Sequence, residues 1–228
     1  MTGDAFVPDA RRTPGYRAFR TLVVAVCGAL FRPSVTGREH VPATGAVILA
    51  PVHRSNADFA LTVFVTRRKA FFMAKDNIWS VPVLGPFVAA MGAFPVHRGS
   101  ADRQALKAAE AVLAAGEPLV VFPEGTRKEG DLLGPLHEGA AFLAARTGAP
   151  IVPIGIAGTD RALPKGARLP RPVKARIVVA PPIVPRAPEA TTRVSRSAVS
   201  SLTEELRSAL QAAYDEACGR LSAPAARS

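Results

Sequence analysis

Six short, almost purely apolar runs recur along the chain at intervals long enough to hold a helix: Val47–Val52, Ala70–Ala74, Ala93–Val96, Leu119–Phe122, Ile151–Ile156 and Val173–Ala180. Apolar runs of about four to eight residues without polar alternation describe strands buried on both faces. Between them lie stretches with helical patterning: Ala57–Arg67, Pro82–Met91, Ala101–Ala115 and His137–Thr147. A strand buried on both faces needs helices on each side, and a parallel neighbour is reached only through a crossover. The expected fold is therefore an α/β domain with a largely parallel central sheet flanked by helices. In such folds function collects in the loops that leave the carboxyl ends of the strands.

The two ends of the chain read differently. Residues 1–14 carry Pro8, Pro14 and scattered charge and are expected to be a loose tail. From Tyr16 to Phe31 a helix is expected, and its second half, Leu22 to Phe31, holds no charge. A membrane span needs roughly 20 apolar residues, so this run is too short to cross a bilayer as a simple helix. Arg11, Arg12, Arg17 and Arg20 precede it, but Arg32-Pro33 closes it without a signal-peptidase site. An amphipathic helix lying in the membrane interface is the preferred reading, with an ordinary buried N-terminal helix as the alternative. Thr36–Thr44 reads as a connector punctuated by Gly37 and Pro42, and Pro181–Pro188 as a proline-rich linker. In the final helix, Ser197–Leu221, the residues Leu202, Leu206, Leu210, Ala213, Ala217 and Leu221 form one apolar stripe, expected to dock on the core. The organisation is thus a tail and interface helix over 1–34, one domain over 35–222 and a frayed end over 223–228. A chain of 228 residues can build that core.

Two blocks at strand ends carry the chemistry. His53-Arg54-Ser55-Asn56-Ala57-Asp58 offers a base and a carboxylate directly after the first apolar run. On an unbroken helix five residues turn about 500°, so the two side chains would diverge. A turn with a helix beginning near Asn56, capped by Ser55 or Asn56, brings them together as a base and its orienting acid. Phe122-Pro123-Glu124-Gly125-Thr126-Arg127 follows the fourth run. Its Pro and Gly shape a tight turn from which Glu124, Thr126 and Arg127 are expected to protrude, with amides near Gly125 able to face an oxyanion. Arginine grips phosphate bidentately. Arg98 and Lys75 close two further strand candidates and are also placed to meet an anion.

A net charge of +11 favours anionic partners. Nucleic acid is the poorer fit, because the chain has only two Tyr and one Trp and its phenylalanines sit mostly inside apolar runs. Cys27 and Cys218 make neither a disulfide framework nor a zinc set. No His-Glu-x-x-His, Walker or Rossmann glycine pattern occurs, and there is no Gly-x-Ser-x-Gly elbow. No metal site is expected.

The order of the blocks is more specific than any one of them. His53-x₄-Asp58, then Gly92–Arg98, then Phe122–Arg127, then Ile151–Thr159 resembles the glycerophospholipid acyltransferase family, over roughly residues 35–182. The resemblance implies that His53 deprotonates an acceptor hydroxyl while Asp58 orients it. It places Lys75, Arg98, Glu124, Gly125, Thr126 and Arg127 around the acceptor's glycerol and phosphate, and the Pro153–Thr159 block on the acyl-donor side of the pocket. It implies no cofactor, only acyl-CoA or acyl-carrier protein as co-substrate. The expected acceptor is a lysophospholipid, most simply lysophosphatidic acid, met by a peripheral enzyme on the cytoplasmic face of an anionic membrane. Val52 stands where the family commonly has Asn, Asp76-Asn77 where it often has Glu-Leu, and His137 near a position that is commonly Lys. These departures leave open another lysolipid, a glycolipid or an ornithine lipid as acceptor. A non-catalytic lipid-binding protein is a more distant alternative, since His53 and Asp58 are both present.

Overall fold

A computed structural model describes residues 13–75, 92–96, 103–162, 171–186 and 194–223, with positions 8, 80, 88 and 89 besides. The expected helix over Pro82–Met91 lies almost wholly outside the described residues. Seven strands build one sheet: β1 (Ser34–Thr36), β2 (Val47–Pro51), β3 (Phe71–Lys75), β4 (Ala93–Val96), β5 (Pro118–Val120), β6 (Ile151–Ala157) and β7 (Arg176–Val179). Their order is β1-β7-β6-β2-β5-β3-β4. Every neighbouring pair is parallel except β6 with β7. All residues of β2 and β6 are buried, which is why both read as unbroken apolar runs.

The sheet corrects the sequence reading at three places. The connector expected from Thr36 begins as strand β1, whose Thr36 pairs with Val178. The last strand is shorter than Val173–Ala180, because the amides of Val173 and Ala175 bond instead to Leu30 O and Phe31 O at the end of the first helix. The long helix expected over Ala57–Arg67 is one turn, α2 (Asp58–Leu61), followed by a 3-10 turn over Thr62–Phe64. Thr62, Val63, Val65 and Thr66 are β-branched, and the Thr62 hydroxyl bonds back to Phe59 O at 2.6 Å, which competes with continuation of the α-helix.

The first helix, α1 (Pro14–Phe31), starts where Thr13 accepts from Tyr16 N and Pro14 occupies the first turn. It buries Tyr16, Cys27 and Phe31 and packs against α2 and the 3-10 turn. Three more helices, α3 (Arg103–Ala114), α4 (Gly139–Thr147) and α5 (Arg196–Ser222), pack in succession, with α5 lying on β6 and β7. Gly155 permits that close approach: a Cβ there would stand 2.2 Å from Ala213 O of α5. Leu206, Leu210 and Ala217 of the predicted stripe are buried below α5.

The connection leaving β2 runs past β5 to β3, whereas the one leaving β5 runs past β2 to β6. Connections departing in opposite directions mark the carboxyl ends of β2 and β5 as the topological switch point, the place where open α/β sheets bind ligands.

Candidate active site

Three successive amides in the loop after β2 point into two buried carboxylates. His53 N donates to Glu124 Oε2 at 2.9 Å, while Arg54 N and Ser55 N both donate to Asp58 Oδ2 at 2.6 Å. Asp58, in the first turn of α2, therefore holds the loop that precedes it. The expected caps do less: Ser55 Oγ accepts from Ala57 N at 3.3 Å, and Ala57 itself occupies the cap position. Asp58 has no exposed surface, and its Oδ1 accepts the Thr159 hydroxyl at 2.7 Å. His53 Nδ1 lies 3.5 Å from Asp58 Oδ2. That is long for a hydrogen bond, as catalytic pairs without substrate often are. A carboxylate facing Nδ1 fixes the proton there, which leaves Nε2 with its lone pair. Among the described residues Nε2 has no recorded partner. The imidazole leans on Phe122, with ring centroids 4.4 Å apart, and keeps about a fifth of its side-chain surface exposed.

The turn after β5 divides into an inner and an outer half. Glu124, read from the sequence as protruding, is turned inwards and buried. It ties the turn to the histidine loop, because one oxygen takes the His53 amide and the other takes Arg54 Nη1 at 2.8 Å. Lys128 N donates to His53 O at 2.9 Å, a second tie between the same two loops. Gly125 has φ +66°, and a Cβ there would meet the His137 ring at 2.6 Å. The amides of Gly125 and Thr126 donate within the turn to Phe122 O and Glu124 O. These two of the amides near Gly125 are therefore engaged within the turn. The Thr126 and Arg127 side chains are exposed, and the Arg127 amide has no recorded partner among the described residues.

Parallel pairing puts the end of β3 at this same sheet edge, so the Lys75 backbone arrives there, while its side chain lies outside the described residues. Arg98 lies outside them altogether. Among the described residues no three His, Cys, Asp or Glu side chains group as metal ligands.

The model of the acyltransferase family matches residues 32–157, which span β1 to the end of β6 and so both site loops. The chain belongs to the acyltransferase family. A chloroplastic 1-acyl-sn-glycerol-3-phosphate acyltransferase of Brassica napus is 32% identical over 139 residues, 60% of this chain and 40% of that protein. The 1-acyl-sn-glycerol-3-phosphate acyltransferase of Bacillus subtilis is 29% identical over 150 residues, 65% of this chain and 72% of that protein. The match thus spans well under half the length of the chloroplast relative. The crystal structure of the 1-acyl-sn-glycerophosphate (LPA) acyltransferase from Thermotoga maritima superposes with a TM-score of 0.75 and 22% identity, over 91% of this chain and 81% of that one. At that identity the likeness is one of fold: the largely parallel sheet with its helices, preceded by an N-terminal helix.

Two groups at this site were not singled out from the sequence. Arg54, inside the His-x₄-Asp block, is buried between Glu124 and the ring of Tyr214, its guanidinium carbon 4.8 Å from the ring centroid. Tyr214 comes from α5, beyond the stretch matched by the family model. A charged residue next to a strand-end histidine reads as solvated unless its partner is known, and the partners lie 70 and 160 positions away in sequence. A residue in the middle of an apolar stripe reads as core. Thr159 was legible only as part of a pocket-shaping block, and nothing local in the sequence points it at Asp58.

Proposed function

We propose that this acyltransferase moves a fatty acyl group from an acyl thioester, acyl-CoA or acyl-carrier protein, to the free hydroxyl of a lysophospholipid, most simply lysophosphatidic acid. The observation that carries this reading is the His53 ring set against a fully buried Asp58, with Nε2 uncommitted. His53 Nε2 takes the proton of the acceptor hydroxyl as its oxygen attacks the thioester carbonyl. Asp58 stabilises the imidazolium. The tetrahedral intermediate collapses with cleavage of the C–S bond, and the imidazolium returns its proton to the departing thiolate. The exposed Arg127 guanidinium suits the acceptor's phosphate, and the free Arg127 amide suits the developing oxyanion. The names of the relatives support the lysophosphatidic acid acceptor.

Work at a membrane surface, on its cytoplasmic face, is part of this proposal, and α1 supports the membrane attachment. One side of this helix is packed on the domain, while Ala18, Leu22, Ala25, Val26 and Ala29 leave an apolar stripe exposed. No helix among the described residues is long and apolar enough to cross a membrane. An apolar stripe on a basic protein suits the interface of an anionic bilayer. Phe59, beside Asp58 and half exposed, adds apolar surface near the dyad where an acyl chain can lie.

Mass spectrometry of products from a panel of lysolipids and acyl thioesters tests the reading. The expected product is phosphatidic acid, formed by the wild type and lost in His53→Ala. Preferential acylation of an acceptor without phosphate would replace lysophosphatidic acid as the substrate, and turnover by His53→Ala would remove the base.

A further inference from the structure

Two buried carboxylates hold consecutive amides of one loop, yet their surroundings differ in charge. Glu124 faces a cation: Arg54 Nη1 lies 2.8 Å away, and neither side chain is more than 3% exposed. Asp58 receives two amides, one hydroxyl and the His53 ring. Among the described residues the His53 ring is its only recorded ionisable partner. Arg54 touches both acids, Asp58 through its main chain and Glu124 through its side chain.

We infer that Arg54, backed by Tyr214 of the C-terminal helix, is a positioning residue that neutralises Glu124 and so leaves Asp58 as the one carboxylate acting on the His53 ring. This rests on His53 being the base. Both acids are anchored to the histidine loop, and two uncompensated charges there would over-stabilise the imidazolium. The base would then be occupied by a proton at working pH. A buried carboxylate without a cation is also expensive in itself. Arg54 removes one of the two charges and leaves the other.

Tyr214 keeps the guanidinium in place. Its phenol is pushed up to about 12, chiefly by burial, with Arg54 pulling the other way, so the ring stays neutral. One turn earlier on α5, Gln211 accepts from Leu133 N at 2.8 Å and donates to Asp131 O at 3.0 Å. Those bonds hold the loop whose Leu132 O accepts Arg54 Nη2 at 3.4 Å. The C-terminal helix thereby reaches the loop that carries the dyad. Among the described residues, the other charged or titratable groups named around this cluster are Arg127, Lys128 and His137 on the turn and the segment after it, Asp131, Asp160, and Asp215 and Cys218 on α5. None of them bonds to Glu124 or Asp58 through its side chain.

The test is a titration of the His53 ring by NMR, which needs no substrate. The chain has four histidines, so His53 is assigned by difference from His53→Ala. Arg54→Gln should move the His53 titration to higher pH, since it uncovers a negative charge. Glu124→Gln should lower it, since it uncovers a positive one, and the double variant should return it towards wild type. Tyr214→Leu should shift it in the direction of Arg54→Gln by less, whereas Tyr214→Phe should not. In kinetics the acid limb of kcat/KM should follow these shifts, with KM for the thioester unchanged. An unmoved His53 in folded Arg54→Gln overturns the inference, as does a double variant that behaves like Arg54→Gln alone. If Arg54→Gln does not fold, the opposite-signed shift of Glu124→Gln decides. An active His53→Ala would instead sink the general-base reading, whatever the titration shows.

Discussion

Arg68 and Arg54 each tie β2 to β5, one at each end of the strands. At the amino ends, Arg68 donates to the carbonyls of Pro42 (3.3 Å), Gly45 (2.7 Å) and Gly116, and lies 3.7 Å from the Glu117 carboxylate. Three of these partners are main-chain oxygens at strand entrances. At the carboxyl ends, the recorded partners of Arg54 among the described residues are one carboxylate, one aromatic ring and one distant carbonyl, and none of them bonds to its buried Nε. The first arrangement closes accounts that the backbone leaves open. The second tolerates an unsatisfied donor in order to hold a histidine loop, and incomplete satisfaction of this kind is expected where a fold carries function.

Variants at the two edges should therefore separate activity from stability. The largest effect is expected at the carboxyl edge. His53→Ala should lower kcat on the order of 10²–10⁴-fold, the usual contribution of a positioned base. Its thermal midpoint should stay near wild type, because the partly exposed ring makes one long bond. Full turnover by a folded His53→Ala would remove the functional half of the comparison.

Arg68→Ala should do the reverse. Losing a charge-assisted cluster and leaving carbonyls unpaired costs about 2–4 kcal/mol. Denaturant titration should show that loss, with kcat of the folded protein within about twofold of wild type. A fall in kcat without loss of stability would mean that the amino edge communicates with the site.

Next comes the exposed half of the turn. Arg127→Lys keeps the charge but loses the planar fork. It should reduce kcat/KM for lysophosphatidic acid by about 10- to 100-fold, through the acceptor's KM. Saturation curves with acceptor and donor varied in turn check this. A change confined to the donor's KM would assign Arg127 to the thioester.

The same contrast explains what the sequence disclosed. Strands buried on both faces betray themselves as apolar runs, and β2 and β6 were legible because nothing polar interrupts them. His53 and Asp58 stood out as a pair chiefly through the order of the blocks that follow them, because a histidine five positions before an aspartate also suits a loop histidine and a first-turn acid. Glu124 was placed on the wrong side of its turn, since a carboxylate between Pro and Gly reads as exposed unless Arg54 is known to be behind it. The loss of helix after Leu61 was foreshadowed by β-branched residues, but apolar periodicity outweighed them. Tyr214 and Thr159 had no local signal, because each acts through a partner more than a hundred positions away.

Thr159 gives the smallest and most discriminating test. It follows β6, is fully buried, and gives its hydroxyl to the Asp58 oxygen that takes no loop amide. Thr159→Val keeps the shape and removes the donor, leaving Asp58 Oδ1 unpaired in a dry site. The cost of one unsatisfied acceptor is about 1–3 kcal/mol, part of it felt in stability and part in how firmly Asp58 faces His53. A fall in kcat of about tenfold is expected, with both KM values unchanged and recovery in Thr159→Ser. The family resemblance placed this segment on the acyl-donor side, and that reading predicts something else: a rise in the thioester's KM that Ser does not repair. If the donor's KM moves and kcat does not, β6 contributes a wall of the pocket, and the polar machinery of the carboxyl edge shrinks to the loops after β2 and β5.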